Sequence, residues 1–235
     1  MSKDEFIETK EQVLDQRTRL IVFKMTNSIL KEVNGCISTG KEASVFHATS
    51  TDKETFQFST NPKEQEQREN ISYFPEMAIK IFKTSLNEFK NRQVYMEGDH
   101  RFNKFSKQNP RKMIKLWAEK EMRNLKRVSK IESIKAPVPV LLREHILLMQ
   151  FIGEDGKHAP QLKEANLSPK NLKRAYIQVV KMMRDLFQLC DLVHSDLSEF
   201  NLLYFKKNVY VIDFAAGFFF IFLKCFYFFI SFFLF

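Results

Sequence analysis

The chain has 235 residues, 44% hydrophobic and 28% charged, with a formal net charge of +9, which is enough for one two-lobed globular domain or two small ones. Cys36, Cys190 and Cys225 are widely spaced and form no C-x-x-C pair; this excludes a disulfide framework and a thiolate zinc site, and fits a reducing compartment, cytosolic or nuclear. Residues 1–24 mix acids and bases with no apolar run of signal-peptide length, so nothing there argues for secretion.

In chain order, Val13, Leu20, Ile21, Phe23, Met25, Ile29, Leu30 and Val33 recur mostly at three- and four-residue steps. That spacing predicts an N-terminal segment, residues 1–34, of one or two amphipathic helices packed on the domain that follows. Asn34-Gly35 breaks the pattern. Cys36 to Ala48 then predicts two strands around the polar turn Ser38-Thr39-Gly40-Lys41-Glu42-Ala43, where small residues let backbone N–H groups approach a phosphate. A single glycine within the turn is thin support for that role.

Residues 50–73 are polar and predict an exposed excursion between strands. Met77 to Phe82 reads as a strand containing the triplet Ala78-Ile79-Lys80. A lone strand lysine usually faces solvent, but Lys80 lies in a run apolar on both sides and follows a glycine-containing hairpin. It is expected to be a buried, phosphate-binding ammonium.

From Lys83 to Lys130 there are fourteen Lys/Arg against five Asp/Glu, a surplus equal to the whole net charge. A solvated helical face and a basic surface for RNA or an acidic partner both fit that segment, 83–130. Residues 83–112 read as a basic insertion with loops at Gly98–Phe102 and Asn109-Pro110. A helix follows from about Arg111 to Val128, with Met113, Ile114, Leu116, Trp117, Met122, Leu125 and Val128 marking one broad face. Glu121 lies near that face and is expected to meet Lys80. Glu119 is the alternative, and because it points roughly 200° away at the helical pitch only one of the two can do so.

Val138 to Leu142 and His145 to Ile152 predict two more strands, completing a five-stranded sheet. Gly153-Glu154-Asp155-Gly156 then reads as a hinge, which by position sets the backbone of Gln150 to Ile152 against a nucleotide base. Ser168-Pro169 is an N-cap followed by proline at the first helical position. Leu172 to Cys190 predicts a core helix, with Met182 and Met183 as packing.

Leu192-Val193-His194-Ser195-Asp196-Leu197-Ser198-Glu199-Phe200-Asn201, followed twelve residues later by Asp213-Phe214, has the H-x-D-L-x-x-x-N plus D-F layout of a protein kinase. Phosphoryl transfer needs a carboxylate to orient the nucleophile and oxygen ligands for magnesium; Asp196 suits the first role, Asn201 and Asp213 the second. Ser195 stands where most protein kinases carry an arginine, so switching by activation-loop phosphorylation is not expected.

Together the S-T-G-K-E-A turn, Ala78-Ile79-Lys80, Trp117 to Leu125, Met149 to Gly153, L-V-H-S-D-L-S-E-F-N and Val211-Ile212-Asp213 make the chain, over roughly residues 10–214, resemble the RIO family of atypical serine/threonine kinases, most of all its type 1 branch. The resemblance implies an α+β, two-lobed protein-kinase-like fold. Its N-lobe (35–152) would be a five-stranded antiparallel sheet with helices, and its C-lobe (153–214) helical and incomplete. It also implies an ATP- and Mg2+-dependent kinase or ATPase acting in maturation of the small ribosomal subunit on pre-40S particles, in the cytoplasm with possible shuttling through the nucleus. By position, Ser38 and Lys41 cover the nucleotide, Lys80 holds its phosphates with Glu121 behind it, and the backbone of Gln150 and Ile152 holds adenine. Asp196 accepts a proton, Asn201 and Asp213 bind metal, and Asp213 can itself accept phosphate.

Residues 215–235 depart from that pattern as a phenylalanine-dominated tail with Lys224 as its only charge. It fits a membrane anchor by length, a buried terminal helix, or low-complexity translation joined to a kinase, such as an unspliced intron; a membrane is expected as a partner only if the tail is genuine. Two other functions compete with the leading one. An aminoglycoside- or choline-type phosphotransferase shares an H-x-D-x-x-x-x-N loop but usually has proline and glycine before the asparagine. A catalytically impaired, kinase-shaped binding module for pre-ribosomal particles is the other.

Overall fold

The computed structural model describes residues 14–26, 28–53, 72–84 and 110–219. The excursion between Ser50 and Tyr73 and the basic insertion 83–112 therefore lie mostly outside the described residues, as do the first thirteen residues and the tail from 220 onward.

Helix α1 (Gln16–Thr26) precedes strands β1 (Leu30–Thr39), β2 (Ala43–Ser50) and β3 (Glu76–Phe82). Helix α2 (Pro110–Val128) leads to β4 (Pro139–Arg143) and β5 (Ile146–Gln150). The five strands form one sheet in the order β1-β2-β3-β5-β4, with every neighbouring pair antiparallel, as the sequence predicts.

Alternation along β3 and β5 divides the lobe into two cores. Met77, Ile79 and Ile81 of β3 and Ile146 and Leu148 of β5 join Met25, Ile29 and Phe46 on the α1 side. Ala78 and Phe82 of β3 and Leu147 and Met149 of β5 face the other way, onto Trp117, Ala118, Met122 and Leu125 of α2. Lys80 therefore projects between Ala78 and Phe82 toward α2, because its strand register allows no other face.

Two sequence expectations need correction in this lobe. The helical pattern does not run to residue 34: α1 stops at Thr26 and β1 has already begun at Leu30. Pairing of β1 with β2 is interrupted by register shifts between Leu30 and Glu32 and between Val33 and Cys36. These bulges turn Leu30 and Val33 inward at a three-residue step that mimics a helix, and Asn34-Gly35 lies inside the strand. In α1 itself Leu20 and Phe23 are exposed, while Thr18 and Met25 are the buried residues.

Beyond Gln150 the proposed hinge is a hairpin, β6 (Gly153–Glu154) and β7 (Lys157–His158), turning at Asp155-Gly156. Helix α3 (Pro169–Cys190) starts at Ser168, whose Oγ accepts the Asn171 N–H at 3.4 Å. It ends at Asp191, in the left-handed region (φ 49°) with its N–H on the Leu186 carbonyl. This helix is buried on one face only. Ala175, Met182, Asp185, Leu186 and Cys190 are covered, whereas Leu172, Tyr176, Val180 and Met183 are exposed, so Met182 is packing and Met183 is not. Strands β8 (Leu192–Val193), β9 (Leu202–Phe205), β10 (Asn208–Val211) and β11 (Phe218–Phe219) complete this side, with β9 paired to β10 and β8 to β11.

Candidate active site

Three elements converge on the Lys80 ammonium. Lys80 Nζ donates to Glu121 Oε1 at 2.9 Å and Oε2 at 2.7 Å, and to Asp213 Oδ1 at 3.0 Å. Lys80 and Glu121 are buried, at 6% and 1% exposure, while the Asp213 side chain keeps 40% of its surface open. Between the two glutamates of α2, the structure selects Glu121; Glu119 is half-buried, and its carbonyl accepts the Arg123 Nε–H one turn on.

The electrostatics follow from this burial. Desolvation alone would pull the Lys80 ammonium down, but the Asp213 and Glu121 carboxylates outweigh it and hold it above the ordinary lysine value. Burial pushes the Glu121 carboxyl up to about 7, with Lys80 opposing and Asp213 and Glu42 adding to the rise. Asp213 goes the other way: burial raises it, yet the Lys80 charge and hydrogen bond hold it below the usual carboxylate range. Lys80 therefore keeps Asp213 ionised at neutral pH.

Asp196 and Asn201 stand on the loop between β8 and β9. Asn201 Nδ2 donates both to the Asp196 carbonyl at 2.8 Å and to its Oδ2 at 2.9 Å. The next hydrogen bonds tie this loop to Asp213: Ile212 N–H reaches the Asn201 carbonyl at 3.0 Å, and His194 Nε2 reaches the Ile212 carbonyl at 2.9 Å. His194 is thus a backbone support; its ring lies 5.0 Å from that of Phe214, and burial lowers its pKa. Asp213 and Ser195 both have positive φ, 64° and 68°, a conformation that costs a non-glycine residue energy and is common where a side chain must be aimed.

The donor set suits a magnesium ion. Asn201 commits its Nδ2 to Asp196, leaving Oδ1 as an oxygen ligand, and Asp213 has one oxygen that Lys80 does not hold. Two protein oxygens are what magnesium takes when water and phosphate oxygens complete its octahedron, and no group of three or more His, Cys, Asp or Glu suited to a metal occurs among the described residues.

The remaining predicted residues occupy the rim. Ser38 near the end of β1 and Lys41 in the following turn are exposed, and the turn is closed by Gly40 N–H on the Ala43 carbonyl at 2.9 Å. Gln150 N–H is used within the sheet, on the Val138 carbonyl at 2.8 Å. The Ile152 carbonyl takes the Ala159 N–H at 2.9 Å, and the Ile152 N–H has no partner among the described residues. One residue escaped the sequence reading: Asn124, buried one turn after Glu121, donates its Nδ2 to the Phe214 carbonyl at 3.0 Å and ties α2 to the segment after Asp213. Its place three residues beyond Glu121, on the same helical face, is the signal that marks it.

Residues 44–217 match the family model for the RIO domain. The chain is 50% identical over 207 residues to serine/threonine-protein kinase rio1 of Dictyostelium discoideum, covering 87% of this chain and 32% of that protein. Human RIO1 matches at 49% (87% and 33%) and human RIO3 at 48% (87% and 38%). RIO1 and RIO3 match almost equally, which supports the family without separating its branches, and the chain spans about a third of the length of these curated relatives. Among solved structures, the Rio2 kinase-ADP/Mg2+-phosphoaspartate complex from Chaetomium thermophilum superposes with a TM-score of 0.55 at 15% identity, over 84% of this chain and 52% of that one; at that identity the likeness carries the two-lobed, kinase-like fold alone. With the family model covering most of its length and its lysine, two glutamate-aspartate partners and loop asparagine set as described, the chain belongs to the RIO family.

Proposed function

We propose that the chain is an ATP-dependent phosphotransferase of the RIO type, a serine/threonine kinase with ATPase activity, that uses Mg2+. The observation that carries this reading is the single ammonium of Lys80 bridging Glu121 and Asp213. Glu121 fixes the lysine from behind, and the second partner of Lys80, Asp213, is ionised and half-open to solvent at the place where a triphosphate would be held. Magnesium, held by Asn201 and Asp213, would offset phosphate charge.

Two acceptors are available for the γ-phosphoryl group. In transfer to a protein, the exposed Asp196 orients a serine or threonine hydroxyl and takes its proton as the oxygen–phosphorus bond forms and the bond to ADP breaks. In the second, an Asp213 oxygen attacks phosphorus directly, ADP leaves, and water later cleaves the acyl phosphate. The Rio2 complex that shares the fold carries a phosphoaspartate, which supports the second course here. Turnover of this kind suits a protein that binds and leaves a large particle; pre-40S ribosomal particles in the cytoplasm are the partner proposed, with RNA contact through the basic segment 83–130. ATP hydrolysis by the purified chain with Mg2+ should be lost in Asp213→Ala, and phosphate transfer to a protein acceptor strongly reduced in Asp196→Ala; unchanged hydrolysis in the first together with unchanged transfer in the second would overturn the assignment.

A further inference from the structure

The hairpin that follows the base-binding segment is held by a chain of side chains from three strands. Asn34 Nδ2 donates to His47 Nδ1 at 2.8 Å, leaving the ring proton on Nε2, which meets Glu76 Oε1 at 2.9 Å. The same oxygen accepts the Gly156 N–H at 2.7 Å, and the Glu76 backbone carbonyl takes the Phe151 N–H at 3.4 Å. Glu76 therefore grips the chain on both sides of Ile152.

Packing reinforces the grip. His47 is buried at 7% exposure, with the Phe151 ring edge-on at 4.7 Å. Gly156 presents its N–H to Glu76 from the left-handed region, φ 72°, and a Cβ on Gly153 would lie 2.3 Å from the Lys157 carbonyl and 2.6 Å from the Phe151 ring. This hairpin has one shape in which it fits.

We infer that Asn34, His47 and Glu76 are positioning residues that fix the backbone of Gln150–Ile152 for an adenine base, an inference that rests on the nucleotide reading above. Adenine would offer its amino group to the Gln150 carbonyl and accept the Ile152 N–H, whereas guanine carries a carbonyl where adenine carries the amine. Discrimination between the two depends on how firmly that backbone is held.

The test is equilibrium binding of ATP and of GTP, each with Mg2+, to the full chain and to Glu76→Ala, His47→Ala and Glu76→Gln, with the melting temperature of each. Loss of the two side-chain hydrogen bonds in Glu76→Ala should weaken ATP roughly tenfold while leaving GTP within about twofold, so that the preference collapses. Glu76→Gln should restore it, since an amide oxygen accepts both N–H groups. His47→Ala should lie between. An alanine variant that binds ATP as the wild type does, or that loses ATP and GTP equally along with its melting temperature, would overturn the inference while leaving the nucleotide reading intact. A wild-type chain that binds neither nucleotide would overturn both.

Discussion

Two halves of the site are built on opposite plans. The Lys80–Glu121 pair is buried, reached through β3 and α2, and each partner depends on a residue 41 positions away. The Asp196–Asn201 pair is exposed and closes over five residues within one loop. A buried ion pair loses its solvation and is tolerated only while its partners stay matched; an exposed pair has water as a substitute. The first half is therefore where fold and function are coupled, and the second is where chemistry can change without cost to the fold.

Lys80→Met is the largest expected break in that comparison. It should abolish ATP turnover, by roughly a thousandfold or more, and also destabilise the chain. Glu121 would remain in the core with no counter-charge, at a cost of about 3 kcal/mol unless it takes up a proton. Melting temperature and turnover measured on one preparation would show both losses; a variant that melts like the wild type would mean that the buried pair does not support the fold. Asp196→Ala comes next. Phosphate transfer to a protein acceptor should fall by about 10²–10⁴-fold with stability changed by less than about 0.5 kcal/mol, as for exposed residues generally. If Asp213 is the acceptor that matters, ATP turnover in this variant should fall much less than transfer to protein.

The same division governs what the sequence revealed. Asp196, Asn201 and Asp213 stand in a linear motif, and Lys80 with Glu121 follows from two simple periods, two along a strand and 3.6 along a helix, so both halves of the site were legible. The His47–Glu76–Gly156 connection was not, because it joins neighbouring strands to a hairpin eighty residues beyond Glu76 and no spacing encodes it. The boundary of β1 was misread because bulges gave Leu30 and Val33 a helical step. The apolar spacing of α3 predicts a core helix, yet only one face is buried, because a pattern does not say which of its residues find a neighbour, and Tyr176 and Met183 did not.

Asn124→Ala is a smaller probe of the buried half. It removes the hydrogen bond between α2 and the Phe214 carbonyl, should cost about 1 kcal/mol, and should loosen the Asp213 segment, so that turnover falls more than stability. A fall in melting temperature with turnover unchanged would show that Asn124 serves the fold alone.

The finest probe is pH, because the two carboxylates around Lys80 are displaced in opposite directions. Burial raises Glu121 from 4.5 to about 7, so the folded state binds its proton more tightly than the unfolded chain does. Its contribution favours folding at pH below 4.5 and is lost as pH rises toward 7. Asp213 is lowered, so its contribution is present above 3.8 and lost as pH falls through its own lower value. Glu121→Gln removes the first titration and leaves the second. The melting temperature of the wild type minus that of Glu121→Gln should therefore shrink between pH 4.5 and 7 and level off above. A gap that stays constant across this range would mean that Lys80 keeps Glu121 ionised throughout, so that pairing and not burial sets the charge of the buried half.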